Sequence, residues 1–190
     1  PVAIRRFLPK PPPPFQWASQ LDVETTDERL RKLREAVRSD KKFARAIGFR
    51  YHDGQPGIVE GLLSRGDRRV GAVIEQVWRD GGRFDGWSEH FSYERWMTAC
   101  DQALSGTGVD LAWYTTRERT YAEVLPWDHL DSGLDKDWLW QDWEDALDAD
   151  SIDVEDCRWT PCYDCGVCPQ MGTDIQIGPT GQSLLPLSVV

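Results

Sequence analysis

The amino-acid sequence predicts a helix-rich α+β fold with few strands. Three observations carry this expectation. Helix-start residues stand ahead of apolar stripes at helical spacing at Thr25, Asp67, Ser92 and Asp135. Only residues 2–8 and Phe43–Tyr51 show the alternation of a half-buried strand. Four of the five cysteines crowd into the stretch Cys157–Cys168, the pattern of a metal loop rather than of a disulfide framework, which spreads its cysteines along the chain.

Taken in order, Val2 and Ile4 beside Arg5 and Arg6 suit a short strand already under way at residue 1, as in a piece of a longer protein. Five prolines within Pro9–Pro14 then lack amide donors and fix φ, giving an extended segment that serves as a rigid linker or as a docking loop. Thr25-x-x-Glu28 is a capping box, and Leu30, Leu33 and Val37 continue it as a helix to about Ser39. Phe43, Ile47, Phe49 and Tyr51 form the second predicted strand, ending at the turn signal His52-Asp53-Gly54. Residues 56–64 read as a short helix closed by Gly66. Asp67 is expected to cap the next, with Val70, Ile74, Val77 and Trp78 on its inner face and Gly81-Gly82 as its stop. Ser92 caps a helix whose stripe includes Trp96, Met97, Cys100 and Leu104, which makes Cys100 a core thiol. Residues 106–134 read mostly as loop. Asp135 caps the last helix, with Leu139, Trp143 and Ala146 inward and Asp137, Asp142, Glu144 and Asp145 on a solvated face.

Length and charge bound the function. The 190 residues suggest one domain with appendages, and 22 basic against 32 acidic side chains leave a net charge of −10. Phosphate neutralisation needs clustered Lys and Arg, so general nucleic-acid binding is not expected. The charge is uneven, basic over residues 29–50 and acidic over 128–156. No apolar run approaches the roughly 18–20 residues that span a bilayer. With the crowded thiols, this predicts a cytoplasmic protein with no membrane partner.

The sharpest chemistry lies in Cys157-Arg-Trp-Thr-Pro-Cys162-Tyr-Asp-Cys165-Gly-Val-Cys168-Pro169. Two-residue gaps let three thiolates of one loop converge, Gly166 permits the tight turn, and Cys157 is close enough to complete the shell. Soft thiolates select zinc, copper(I) or iron–sulfur clusters. Structural zinc usually takes two separated Cys-x-x-Cys knuckles, whereas a continuous run followed by proline looks more like cluster ligation. An iron–sulfur cluster is therefore the first expectation and a Cys₄ zinc site the second. Candidate substrate-binding residues are His52 with Asp53, Trp87 with His90, and Asp128 with His129, each an imidazole beside an acid or an aromatic in a loop or strand end. Arg68 and Arg69 join them, as two arginines in the first turn of a helix that are placed to grip a phosphate or carboxylate or to pair with surface acids. The stretch Trp113–Arg119 combines aromatic and cationic groups, suited to stacking on a flat ligand or to core packing.

Several stretches together resemble a known family. Phe7-Leu-Pro-Lys-Pro-Pro-Pro-Pro-Phe-Gln-Trp17 is similar to the Phe-x-Pro-Lys-Pro-x-Thr-Pro-Phe-Gln-Trp stretch at the end of the barrel in radical SAM proteins that often carry an N-terminal cobalamin-binding-like domain. Arg65-Gly-Asp-Arg-Arg-Val70, Phe84-Asp-Gly-Trp-Ser-Glu-His-Phe91, Leu125-Pro-Trp-Asp-His-Leu130 and Cys157 through Pro169 resemble that family's C-terminal region. Two departures stand out. The family's Pro-His-Thr-Pro is Pro11-Pro-Pro-Pro14 here, and the Cys-x-x-x-Cys-x-x-Cys motif of the radical-generating cluster does not occur in these residues. The resemblance implies a helix-rich C-terminal extension following the last strand of a radical SAM partial (β/α) barrel. Residues 1–20 would be the barrel end and Pro-rich loop, 21–150 the helix-rich domain, 151–170 the Cys-rich loop and 171–190 a tail or linker. It further implies that S-adenosylmethionine serves the parent protein, that the remainder of that protein is the partner, and that the Cys loop is an accessory site. The competing expectation is a non-catalytic binding module stapled by zinc.

Overall fold

A computed structural model describes residues 2–4, 7–10, 14–51, 54–148, 156–157 and 161–175. These residues fold as helices: α1 (Val23–Ser39), α2 (Lys41–Ala46), α3 (Gly54–Arg65), α4 (Val70–Arg79), α5 (Tyr93–Ala103), α6 (Leu111–Tyr114), α7 (Lys136–Leu147) and α8 (Val167–Met171). A 3₁₀ turn, Pro14–Trp17, precedes them. Among the described residues the only extended pairing joins β1 (Val2–Ile4) to β2 (Phe49–Tyr51), in parallel, with Val2 opposite Phe49. Three residues per strand make no sheet layer. The fold is all-α, which corrects the expected α+β module with a barrel strand over residues 2–8.

The physical reason is clearest at the second expected strand. The Asp40 carboxylate accepts the amides of Lys42 (2.7 Å) and Phe43 (3.4 Å), so it starts α2 inside the alternating run. Lys41, Lys42, Ala44, Arg45 and Ala46 are good helix formers, and only Phe49–Tyr51 remain extended. A similar shift occurs at α1. Asp22, not Thr25, is the cap, its carboxylate accepting the Thr25 amide at 2.6 Å, so the helix begins earlier than the capping-box reading placed it. At α4 the expected cap Asp67 lies two residues ahead of the cap position, which Arg69 holds with no side-chain cap bond; the Asp67 carboxylate accepts the Arg69 amide instead. At α5 and α7 the caps are those expected. Ser92 Oγ accepts the Arg95 amide at the head of α5, and Asp135 Oδ1 accepts the Asp137 amide at the head of α7.

The chain divides into two units, Pro1–Pro126 and Trp127–Val190. In the first, α3, α4 and α5 bury Val59, Leu62, Val70, Val73, Val77, Trp96, Ala99 and Cys100 against Leu104 and Tyr114. On α4 the inner face is Val70, Val73 and Val77, while Ile74 and Trp78 stand 47% and 58% exposed. The 3₁₀ turn belongs to this unit, with Trp17 wholly buried. In the second unit Leu139 and Trp143 are the buried side chains of α7, whereas Ala146, expected inward, is exposed. No helix among the described residues is long and apolar enough to cross a membrane.

Candidate metal centre

The Cys loop docks on the start of α7, and two glycines make the contact. Gly133 turns the chain at φ +77° just ahead of the helix. The Cys165 carbonyl accepts the Asp135 amide at 2.9 Å, fixing the loop to the cap residue itself. Gly166, at φ +90°, follows at once. A Cβ there would come within 3.2 Å of the Gly133 carbonyl oxygen and 3.3 Å of the Asp135 nitrogen. A Cβ on Gly133 would meet Met171 Cγ at 2.7 Å. Both positions therefore need glycine for close approach as well as for backbone angle. Above this contact the Tyr163 ring stacks on Trp138 of α7, with centroids 5.5 Å apart and planes at 21°.

The thiols lie along this frame. Cys162 is exposed; its Sγ accepts the Asp164 amide at 3.4 Å and lies 3.7 Å from Asp164 Oδ1. Asp164 takes a left-handed φ of +54° to make that turn. Cys157, Cys165 and Cys168 are half-buried, Cys168 in the first turn of α8. Burial raises the Cys168 thiol pKa, and the negative charges of Asp174, Cys157, Cys165 and Cys162 raise it further. The Tyr163 phenol is also pushed up, by burial first and then by a hydrogen bond to Cys157 with added charge from Cys157, Cys165 and Asp156. A cation would relieve each of these repulsions, and soft thiolates are the donor set for zinc or an iron–sulfur cluster. The residues fit such a group in the chemistry of their donors. Among the described residues, no three His, Cys, Asp or Glu side chains are placed so that they could hold a metal ion.

The other candidates are distributed differently. His52 and Asp53 lie outside the described residues. Arg68 is exposed ahead of α4. Arg69 is held by Asp67, its Nε 3.0 Å from Oδ2, and its guanidinium lies over the rings of Trp113 (5.2 Å) and Tyr114 (5.8 Å). Arg117 covers Trp113 too, at 4.4 Å, and is pinned by both oxygens of Glu123 at 2.7 and 2.6 Å. Trp113 is thus occupied by two cations, which favours the packing reading of that stretch over base stacking. Trp87 is 59% exposed and meets Phe84 edge-on at 5.9 Å, while the His90 ring is 6.1 Å from Phe84. Asp128 and His129 are exposed in the second unit, with Lys136 Nζ 3.7 Å from Asp128. His90 and His129 belong to different units.

Sequence reasoning passed over three features. Arg65 and Arg119 are buried, at 0% and 1% exposure, and donate to the carbonyls of Ala18 (2.7 Å) and Arg65 (2.9 Å). The signal for Arg65 was its place on the Ile58, Leu62, Arg65 stripe of α3. Cys100 lines an open groove of about 480 Å³ with Asp101, Leu104, Asp110 and Trp113. Burial lifts its thiol to about 11, with a smaller contribution from Asp101, so it is an inert group. The third feature, the Tyr163–Trp138 stack, had no local signal. Comparison of the chain with protein-family models, with curated proteins and with solved structures found no match.

Proposed function

We propose that this chain is the C-terminal part of a cytoplasmic radical SAM enzyme, covering the barrel and helping to bind substrate, with Cys157, Cys162, Cys165 and Cys168 as an accessory iron–sulfur site. The observation that supports the reading is the crowding of four cysteines in one short stretch whose Cys165 docks on α7, with an amide directed at Cys162 Sγ. A bound cluster would supply an electron-transfer or substrate-ligating centre. The chain's own residues hold the loop: the Asp135 amide anchors Cys165, and Gly166 allows the approach. S-adenosylmethionine cleavage would belong to the parent protein's Cys-x-x-x-Cys-x-x-Cys motif. A binding module stapled by Cys₄ zinc is the second reading, favoured by the exposed aromatics Trp78, Phe84 and Trp87 at 58, 69 and 59%.

Anaerobic purification with iron, sulfide and zinc analysis separates the two. The proposal expects iron and sulfide together, lost in Cys165→Ser. Stoichiometric zinc without iron or sulfide would overturn the cluster and leave the zinc staple.

A further inference from the structure

Between α4 and α5 the chain makes two successive turns. The Phe84 carbonyl accepts the Trp87 amide at 2.9 Å, and the Trp87 carbonyl accepts the amides of His90 at 3.0 Å and Phe91 at 3.1 Å. Phe91 packs against the core of the first unit. The three rings ahead of it, each three residues from the next, stay outside. Phe84 is 69% and Trp87 59% exposed, and His90 is exposed too. Phe84 also takes a left-handed φ of +56°, a costly conformation for a bulky residue, and its exposed ring gains little burial to offset that strain.

The rings stand at angles to one another. Phe84 and Trp87 have centroids 5.9 Å apart and planes at 79°, and the His90 ring lies 6.1 Å from Phe84 at 51°. A flat ligand needs parallel faces, whereas an angled set forms a corner whose negative π-faces suit a cation. Asp85, next to Phe84 in the chain, keeps its Oδ1 out of solvent with no hydrogen-bond partner among the described residues. A carboxylate oxygen so placed is costly, and a cation beside it relieves the cost. The protein lays its own cations on other tryptophans. Arg69 and Arg117 lie over Trp113, and Arg83 lies 5.0 Å from the centre of the Trp78 ring. Arg83 also donates to the carbonyls of Trp78 (2.7 Å) and Gly82 (2.6 Å), which hold it there. Among the described residues no cation lies over Phe84, Trp87 or His90.

We propose that Phe84, Trp87 and His90 form an aromatic corner that binds an alkylated ammonium group, with Asp85 as its counter-charge. Such a group spreads its charge over methyls and has few or no N–H donors, so ring faces hold it better than hydrogen-bond acceptors do. The strained backbone at Phe84 then has a use, since it holds that ring up as one wall. This site is separate from the Cys loop and does not depend on the metal reading.

Calorimetric titration of the full chain tests this with choline and with its uncharged tert-butyl analogue, which has the same shape. Choline is expected to bind, and the analogue several-fold more weakly. A trimethyllysine peptide tells a side-chain source from a free one. Binding of the peptide without choline would assign the corner to a modified protein, and binding of both would make the ammonium group sufficient; either result upholds the corner. Phe84→Gly removes one wall while glycine takes φ +56° freely, so the variant is expected to fold as the wild type does. Its affinity for the bound probe is expected to fall about two- to thirtyfold, the range of one cation–ring contact. Trp87→Ala is expected to lose as much, and Asp85→Asn to weaken the charged probe but not the uncharged one. Equal binding of choline and its analogue would overturn the cation assignment. Tighter binding of adenosine than of choline would overturn it in favour of stacking. Unchanged affinity in Phe84→Gly and Trp87→Ala would place the ammonium elsewhere, and no binding of choline or peptide by the wild-type chain would overturn the site itself.

Discussion

Asp67→Asn tests the electrostatic latch that joins the start of α4 to α6. The Asp67 carboxylate accepts the Arg69 amide at 2.9 Å, Arg69 Nε at 3.0 Å and the Tyr114 hydroxyl at 3.0 Å. Arg69 is the main reason its pKa falls from 3.8 to about 2, against the opposing effect of burial. At about 1.4 kcal/mol per unit the charge would contribute roughly 2 kcal/mol in a sealed site. The side chain is 23% exposed, and solvent screening reduces this to about 1–2 kcal/mol. The sign follows from the depressed folded-state pKa. The contribution is complete above the unfolded value near 4 and is lost as pH falls through 2. By linkage about half remains at pH 3. Asparagine keeps the shape and an acceptor while removing the charge. Urea unfolding is therefore expected to show Asp67→Asn destabilised by about 1–2 kcal/mol at pH 7 and by about half as much at pH 3. An equal deficit at both pH values would refute the charge argument and leave only hydrogen-bond geometry.

Two further outcomes follow from the same structure. Gly166→Ala places a Cβ at φ +90° and 3.2 Å from the Gly133 carbonyl, so it is expected to cost about 1–2 kcal/mol and to weaken cobalt binding; unchanged affinity would show that the loop does not need this approach. Alkylation followed by mass spectrometry at pH 8 is expected to label exposed Cys162 early and Cys100, with its thiol near 11, last. Comparable rates would contradict the burial of Cys100 in the α3–α5 core.

What could be read from the sequence was what a few neighbouring residues decide. Ser92 and Asp135 cap α5 and α7 because the carboxylate or hydroxyl needs only an amide two or three residues on. The inner face of α4 was not legible, because Ile74 and Trp78 sit within a turn of Val70 and Val77 and fall on the flank of the stripe. At 100° per residue Val70, Val73 and Val77 cluster tightly, and tertiary packing on α5 selects that cluster. Phe43–Tyr51 satisfied both periods, and the Asp40 cap decided between them. The docking of Cys165 on Asp135 and of Tyr163 on Trp138 joins residues about 25–30 positions apart, beyond any local pattern.

Arg65 carries the last consequence. Its guanidinium is fully buried, one nitrogen bonds the Ala18 carbonyl at 2.7 Å, and Nε and Nη2 have no hydrogen-bond partner among the described residues. Burial first, then the charges of Arg119 and Arg117, lower its pKa from 12.5 to about 10. That opposes the charged form by about 3 kcal/mol. The bond to Ala18 and the packed stem offset this cost and tie the segment after the 3₁₀ turn to the end of α3. Arg65→Met keeps the stem, removes the charge and loses one hydrogen bond, so its two effects oppose each other. Arg65→Lys keeps the charge as a compact, strongly hydrated ammonium and loses the planar fork. The lysine variant is therefore expected to be less stable than the methionine variant by about 1–3 kcal/mol in urea unfolding at pH 7. The reverse order would mean that the cation itself holds the segment, and that a negative group pairs with it in the folded protein.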